Sequence, residues 1–291
     1  MRGRIRVVVF CDLDALIVPP ELKVPGPRAA TLEHLDDAGV AVVLSSRRTR
    51  AEIDWFAQQL RIRTPFIAEH GGGVFVPTGY FEDVPGSRPV AGYDAVEFGR
   101  SYGSVVDLLR MAASRLDVRV RAMADMSIEE VARTLGTPLP VARLTKLREY
   151  TELFQVADGD RPRLFRALRG ARLHCIQGDR LHHVGATVDA SLGVALLRNM
   201  YRRSVGSVLT IGIGNLSTEP DLLRLVDLPV RLSPRGLTFP ASLLHGDASG
   251  ATAHWTAGTD VAALVEPVND VVAAVRRAGI DTSGIVSRRF T

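Results

Sequence analysis

The sequence predicts an α/β protein: a Rossmann-like core with a parallel sheet, interrupted by an inserted α+β domain. Three observations carry that reading. Apolar runs alternate with helical patterns at both ends of the chain, and a β-α-β order implies right-handed crossovers and a parallel sheet. Between residues 83 and 186 the rhythm changes to shorter, mixed elements. The first apolar run, VVVFCDLD at 7–14, ends abruptly in two carboxylates, Asp12 and Asp14.

The elements follow in order. Residues 7–14 read as a buried strand, because an unbroken β-branched run fits a parallel strand covered on both faces. A proline-rich turn leads to a helix over 27–38, with Pro27 at its start and Gly39 after its end. Residues 40–46 form a second strand, 49–60 a second helix and 65–69 a third strand ending at HGGG. A short strand begins at Val74, and 84–100 reads as loop. Within the insertion, 101–116 is helical and 118–124 alternates as a strand. Ser127 and Glu130 form a capping box for a helix that stops at Gly136. A helix over 138–147, a strand over 149–156, a helix over 161–168 and a hairpin over 172–184 complete it. The core resumes with a helix over 190–203, the strand SVLTIGIG at 207–214, a short helix at 220–226 and a strand at 228–232. A terminal helix is expected over 260–278. The domain assignment is therefore a core from 1–82 and 187–291, with 83–186 as the insertion.

Composition narrows the function classes. The 291 residues, 46% of them apolar and 23% charged, suit a globular protein. No run of 18 apolar residues occurs and MRGRIR passes straight into a strand, so neither a membrane span nor a signal peptide is expected, and the expected address is cytoplasmic. Two cysteines give no disulfide framework, and Cys11 reads as a small buried hydrophobe. The net charge of +4 lacks basic blocks with interleaved aromatics, which argues against nucleic acid as a partner. Lys23 and Lys146 are the only lysines, and every other formal cation is arginine.

Ligands of open α/β sheets bind beyond the carboxyl ends of the strands. Asp12 and Asp14 lie at such an end, and side-chain alternation would put both on one side if the strand continued. Two acids there suit a nucleophile, an acid/base and a cation site; a solvated strand end reads the same way locally. Four strand ends, CDLDA, LSSRRT, AEHGGG and GIGNLSTEPDLL, taken together resemble the haloacid dehalogenase-like (HAD) hydrolases. The resemblance is to the Cof-type subgroup with a large C2-type cap, and specifically to the mannosyl-3-phosphoglycerate phosphatases. It implies Asp12 as nucleophile and Asp14 as acid/base, acting through an aspartyl phosphate. Ser46 would donate to a phosphoryl oxygen, although Ser45 and Ser46 also suit helix caps. Mg²⁺ would be held by Asp12, Asp14, Asn215 and Glu219.

PFIAEHGGG resembles the family's PFIxENGG segment, with His70 in place of Asn, and LREYTELF resembles a REYxEPF-like cap segment, with Leu153 in place of proline. Glu69, His70, Gly71, Gly72, Arg148 and Glu152, together with Arg47 and Arg48, are the expected substrate contacts. Plain turns and exposed ion pairs are the competing reading of these positions. The family pattern breaks at three places. Ala15 and Leu16 replace Gly and Thr; Leu192 stands at the position of the third-motif lysine; Asn215 replaces an acid in the fourth motif. An uncompensated loss of the lysine would cost about 3–4 kcal/mol of transition-state stabilisation, unless an arginine such as Arg47 or Arg48 compensates. The function implied is a Mg²⁺-dependent phosphomonoesterase acting on a small phosphorylated sugar or glycosyl-phosphoglycerate. The alternative is a catalytically impaired relative that binds a phosphorylated metabolite or a protein partner. A nucleotide-binding reading of GIGN ranks last, because the rest of that fingerprint is missing.

Overall fold

A computed structural model describes residues 5–15, 40–178, 180–187, 189–214, 220–233, 236–240 and 252–255. The helices expected over 27–38 and 260–278 lie outside the described residues. Strands β1 (Ile5–Asp12), β2 (Ala41–Ser45) and β3 (Phe66–Ala68) are followed by β4 (Gly73–Pro77), β5 (Arg88–Val90) and β6 (Tyr93–Glu97). After the insertion come β11 (Ser207–Gly214), β12 (Leu228–Ser233), β13 (Gly236–Pro240) and β14 (Thr252–Trp255). All ten belong to one sheet, in the order β14-β13-β12-β11-β1-β2-β3-β4-β6-β5. The central five, β12-β11-β1-β2-β3, pair in parallel, while β13, β14 and β4–β6 add antiparallel edges.

Strand β1 sits at the centre because both its faces find apolar partners. Val7, Val9 and Cys11 point into one core cluster with Ile53 and Phe56. Val8 and Phe10 point into another with Val194, Leu197 and Tyr201. Period-2 alternation therefore feeds two cores at once, as a strand covered by helices on both sides requires. Those helices are α1 (Arg50–Gln59) and α6 (Ser191–Val205). Cys11 is buried as expected, and burial pushes its thiol well above the ordinary range.

Two expectations are corrected. Residues 84–100 are not a loop: β5 and β6 form a hairpin whose second strand pairs with β4. Turn-forming Pro85-Gly86-Ser87 and Ala91-Gly92 obscured two short strands. Both fall inside the segment assigned to the insertion, yet they extend the central sheet. The first strand also ends early, at Asp12, where a 3₁₀ turn (Leu13–Ala15) takes over.

The inserted unit is built on a four-stranded antiparallel sheet, β7 (Arg119–Ala122), β8 (Thr151–Asp158), β9 (His174–Ile176) and β10 (His182–Gly185), in the order β7-β8-β10-β9. The hairpin expected over 172–184 is β9–β10. Helices α2 (Tyr102–Arg115) and α5 (Arg161–Gly170) cover one face around Phe154. Helices α3 (Ile128–Leu135) and α4 (Leu139–Thr145) cover the other around Leu153. The Ser127–Glu130 capping box forms as read, and Gly136 closes α3 in a left-handed conformation.

The turn between β3 and β4 is where this cap meets the core. Glu69, His70 and Gly71 all have positive φ, at 49°, 56° and 82°, an arrangement that needs external support at the two non-glycine residues. The support is local. Phe98 and Gly99 donate to the Gly72 carbonyl, and a Cβ on Gly72 would come within 2.5 Å of the Tyr150 side chain. A Cβ on Gly71 would come within 2.0 Å of the Asp189 carbonyl oxygen. Gly71→Ala is expected to cost about 2 kcal/mol or more, because it combines a forbidden φ with a backbone clash that no side-chain movement relieves. Urea denaturation checks this; a loss of a few tenths of a kcal/mol would show the turn to be adaptable.

Candidate active site

The site grows from the end of β1. Asp12 lies opposite Ser45 of β2 and is 4% exposed. The 3₁₀ turn folds the chain back, so that the Asp14 N–H donates to Asp12 Oδ1 at 2.9 Å. The two carboxylates are therefore neighbours through a turn, not through a continued strand. Ser46 follows β2 and is buried; its Oγ donates to Asp14 Oδ2 at 3.1 Å and accepts from the Arg48 N–H at 3.1 Å.

Arg48 reaches across the same carboxylate. Its Nε and Nη2 lie 3.0 and 2.8 Å from Asp14 Oδ1, and its Nη1 donates to Glu52 Oε1 at 3.0 Å. The Phe56 ring lies 5.6 Å from its guanidinium carbon. Arg47 is the looser cation, 52% exposed with Nε 3.6 Å from Asp14 Oδ2. These charges divide the two acids. Burial, and then repulsion from Asp14, pushes Asp12 up to about 7. Burial acts the same way on Asp14, but Arg48 and Arg47, with the hydrogen bonds from Arg48 and Ser46, outweigh it and hold that carboxyl below the usual range.

Glu52 is not among the site residues expected from the sequence. It is 2% exposed and caps α1 in a capping box with Thr49. Its Oε1 also accepts from Thr145 Oγ1 of α4 at 3.0 Å, and Thr49 Oγ1 donates to the Leu144 carbonyl at 3.0 Å. The Thr-x-x-Glu spacing was a legible signal for the cap. Its link to a helix more than ninety residues later was not.

The expected substrate contacts divide. Glu69 is fully buried, with its oxygens taken by the backbone N–H groups of Glu149, Tyr150 and Thr151 and by Thr151 Oγ1, at 2.7–3.1 Å. It is a joint between core and cap, not a ligand contact. Gly71 and Gly72 give their open faces to Asp189 and Tyr150, so the close approach they permit is to protein. Glu152 is likewise fully buried beneath the cap, accepting from Met123 and Leu153 N–H groups at 2.9 and 2.8 Å. Burial keeps its carboxyl above the ordinary range, with Tyr102 and Arg148 opposing. For Glu69 the expectation of substrate contact is replaced by a structural role, because a carboxylate whose two oxygens are taken by protein donors has little left to offer. Glu152 accepts both N–H groups on Oε1 and keeps a buried Oε2 without a hydrogen-bond partner.

Arg148 bridges the two units: its Nη2 donates to the Arg47 carbonyl at 2.9 Å and its Nε to the Thr151 carbonyl at 2.9 Å. His70 meets His183 of β10, with Nε2 and Nδ1 3.1 Å apart. Burial, then Arg148 and Arg47, pushes His70 down to about 3, and burial followed by His70 lowers His183. Both rings are neutral at ordinary pH. His183 had no sequence signal, since the contact joins residues 113 positions apart.

Asn215 and Glu219 lie outside the described residues. Leu192, at the expected lysine position, is 53% exposed. Lys146 is spent inside the cap on the Met123 and Met126 carbonyls. Among the described residues no cluster of three or more His, Cys, Asp or Glu side chains is arranged to hold a metal. The described donors are nevertheless of the right kind for a hard divalent cation: a carboxylate raised by burial and then by its like-charged neighbour, and a backbone carbonyl two residues on.

No family profile matches the chain. Among curated proteins it is 26% identical over 241 residues to a glucosyl-3-phosphoglycerate/mannosyl-3-phosphoglycerate phosphatase of Methanococcoides burtonii, covering 81% of this chain and 89% of that one. Among solved structures it superposes on a phosphatase of the HAD superfamily from Bacteroides thetaiotaomicron with a TM-score of 0.58 at 15% identity, covering 97% and 98% of the two chains. A HAD subclass IIB sugar phosphatase gives a TM-score of 0.51 at 12% identity, covering 76% and 85%. In fold the chain is similar to these haloacid dehalogenase-like phosphatases. Within that group its curated relatives are the mannosyl- and glucosyl-3-phosphoglycerate phosphatases.

The raised Asp12 carboxyl makes a stability prediction. Unfolded, the group titrates near 3.8; folded, near 7. Ionising it therefore costs the folded state nothing below about pH 4, an increasing amount between, and the full penalty above about pH 7. Asp12→Asn removes the charge and keeps the Oδ1 acceptor, so it is expected to stabilise the metal-free protein more at pH 8 than at pH 4.5. Denaturation in chelator at both values measures this, and an equal effect at the two would contradict the assignment.

Proposed function

We propose that the protein is a phosphomonoesterase acting on a small phosphorylated sugar or glycosyl-phosphoglycerate, through Asp12, Asp14 and Ser46. The observation that carries this reading is the pairing of buried Asp12 at the carboxyl end of the central strand with Asp14, folded back beside it and tied to Ser46. The names of the curated relatives support a phosphatase and the class of substrate.

Asp12 attacks phosphorus in line and forms an aspartyl phosphate, while Asp14 delivers a proton to the departing alkoxide. Water then attacks the phosphorus as Asp14 takes a proton from that water, and the bond from Asp12 to phosphorus breaks to release inorganic phosphate and restore the Asp12 carboxylate. The low Asp14 carboxyl does not conflict with the acid role. An arriving phosphate dianion draws Arg47 away from Asp14 and adds a negative charge beside that carboxylate, which favours its protonated form. Ser46 Oγ, already at the site edge, donates to a phosphoryl oxygen, and exposed Arg47 has room to turn toward the phosphate. Asp12 and the Asp14 carbonyl, with Asn215 and Glu219, would hold Mg²⁺, which supplies charge neutralisation between the anionic partners. With Asn215 in place of an acid, one ligand is neutral and binding is weaker than with a full carboxylate set. The proposed setting is the cytoplasm; among the described residues no helix is long and apolar enough to cross a membrane.

A second reading, a relative that binds phosphorylated metabolites with little turnover, is favoured by one observation: an exposed leucine stands where a cation is expected. Hydrolysis of mannosyl-3-phosphoglycerate, glucosyl-3-phosphoglycerate and a sugar-phosphate panel separates the two. Turnover is expected to fall by several orders of magnitude in Asp12→Asn and by about tenfold to a hundredfold in Ser46→Ala. Saturable binding without Asp12-dependent turnover on any panel member would establish the second reading.

A further inference from the structure

We propose that Arg48 is a positioning residue, not a substrate contact, and that it ties Asp14 to the docked cap through Glu52 and Thr145. The assignment rests on the phosphatase reading, since it gives Arg48 its task through the acid/base.

The guanidinium is already committed. It spans two carboxylates, with Asp14 Oδ1 at 2.8 Å on one side and Glu52 Oε1 at 3.0 Å on the other, and its carbon lies over the Phe56 ring, 5.6 Å from the centroid. Its side chain is 15% exposed against 52% for Arg47. A group so placed cannot follow a substrate without abandoning both partners, whereas Arg47 can.

Glu52 is the fixed end of the device. Oε2 accepts from the Thr49 N–H, and Oε1 accepts from Arg48 and from Thr145 Oγ1. Thr145 is the last residue of α4, in the cap. The resulting path runs α4, Thr145, Glu52, Arg48, Asp14, Ser46, with each polar link between 2.8 and 3.1 Å. When the cap lifts, Glu52 Oε1 loses a donor and gains water, and the geometry that Arg48 imposes on Asp14 is no longer set by the docked state. Proper placement of Asp14 would thus accompany cap docking. Misplacing an acid/base group by about 1 Å costs on the order of a hundredfold in rate.

The experiment measures kcat and KM separately for wild type, Asp12→Asn, Arg48→Ala, Arg48→Lys, Thr145→Val and Thr145→Ser, on whichever panel member wild type hydrolyses. Arg48→Ala is expected to lose about a hundredfold in kcat with KM changed by less than about threefold. Added guanidinium should recover part of that kcat, and none in Asp12→Asn. Thr145→Val is expected to lose about threefold to tenfold in kcat, Thr145→Ser to recover it, and the Arg48→Ala/Thr145→Val pair to lose no more than Arg48→Ala alone. A raised KM at unchanged kcat in Arg48→Ala would make Arg48 a substrate contact and overturn the proposal, as would additive losses in the pair. If Arg48→Ala fails to fold, the Thr145→Val loss and its recovery in Thr145→Ser decide the matter, and an unchanged kcat in Thr145→Val overturns the coupling. No Asp12-dependent turnover in wild type overturns the phosphatase reading itself; turnover with the wrong pattern overturns only this assignment.

Discussion

The Glu69 carboxylate holds the two halves of the protein in register. It is fully buried on the turn after β3, and it accepts the N–H groups of three successive cap residues together with the Thr151 hydroxyl. A buried charge survives only when its acceptors are satisfied, and charge-assisted bonds to backbone N–H groups are a strong way to do so. Arg148, 3.5 Å away, adds an opposite charge. With residues 149–151 fixed, Arg148 falls against the Arg47 carbonyl, and Tyr150 seats over Gly72. The left-handed strain of Glu69 and His70 is carried by this set of contacts. The proposed catalytic groups on β1 and the loop after β2 therefore face the cap in a definite geometry.

The site itself is a compromise between opposing charges. Two carboxylates in contact repel, and burial makes each more costly. Two arginines from the loop after β2 relieve Asp14 but lie second to burial and repulsion at Asp12. The arrangement leaves the proposed nucleophile short of a counter-charge and the proposed acid/base well supplied. A cation beside Asp12 would balance the account, which is why the oxygen-only donors there suit Mg²⁺ better than a softer metal.

Local chemistry was legible in the sequence, and long-range chemistry was not. The strand SVLTIGIG, the capping box at Ser127 and the pairing of β9 with β10 formed where periodicity and turn residues placed them. Residues 84–100 misled because prolines and glycines at their turns outnumbered the apolar signal of three- and five-residue strands. At the site, Asp12, Asp14 and Ser46 converge because strand order brings consecutive strand ends together. Glu69 was misread for a different reason. A carboxylate in a family-like segment looks like a ligand group until its backbone donors, supplied by distant residues, are known. His183 and Thr145 contribute through contacts across 113 and 93 positions, which no local pattern encodes.

The nature of the cap–core contact explains why arginine, not lysine, occupies the loop after β2. The contacts between α1 and α4 are short polar ones: Thr49 to the Leu144 carbonyl and Thr145 to Glu52. A polar interface between units permits relative motion more readily than an apolar one, since water can replace each bond as it breaks. Such an interface can signal closure only if something rigid carries its state to the reacting groups. An ammonium is a point charge on a flexible stem and would settle on whichever carboxylate is nearer. A guanidinium presents its donors in a fixed fork, so binding Glu52 with one edge sets the direction in which the other edges meet Asp14. Arg48 uses that fork, and the flat face left over rests near Phe56. In a chain with two lysines and many arginines, the placement of this one follows from geometry that only its planar group supplies.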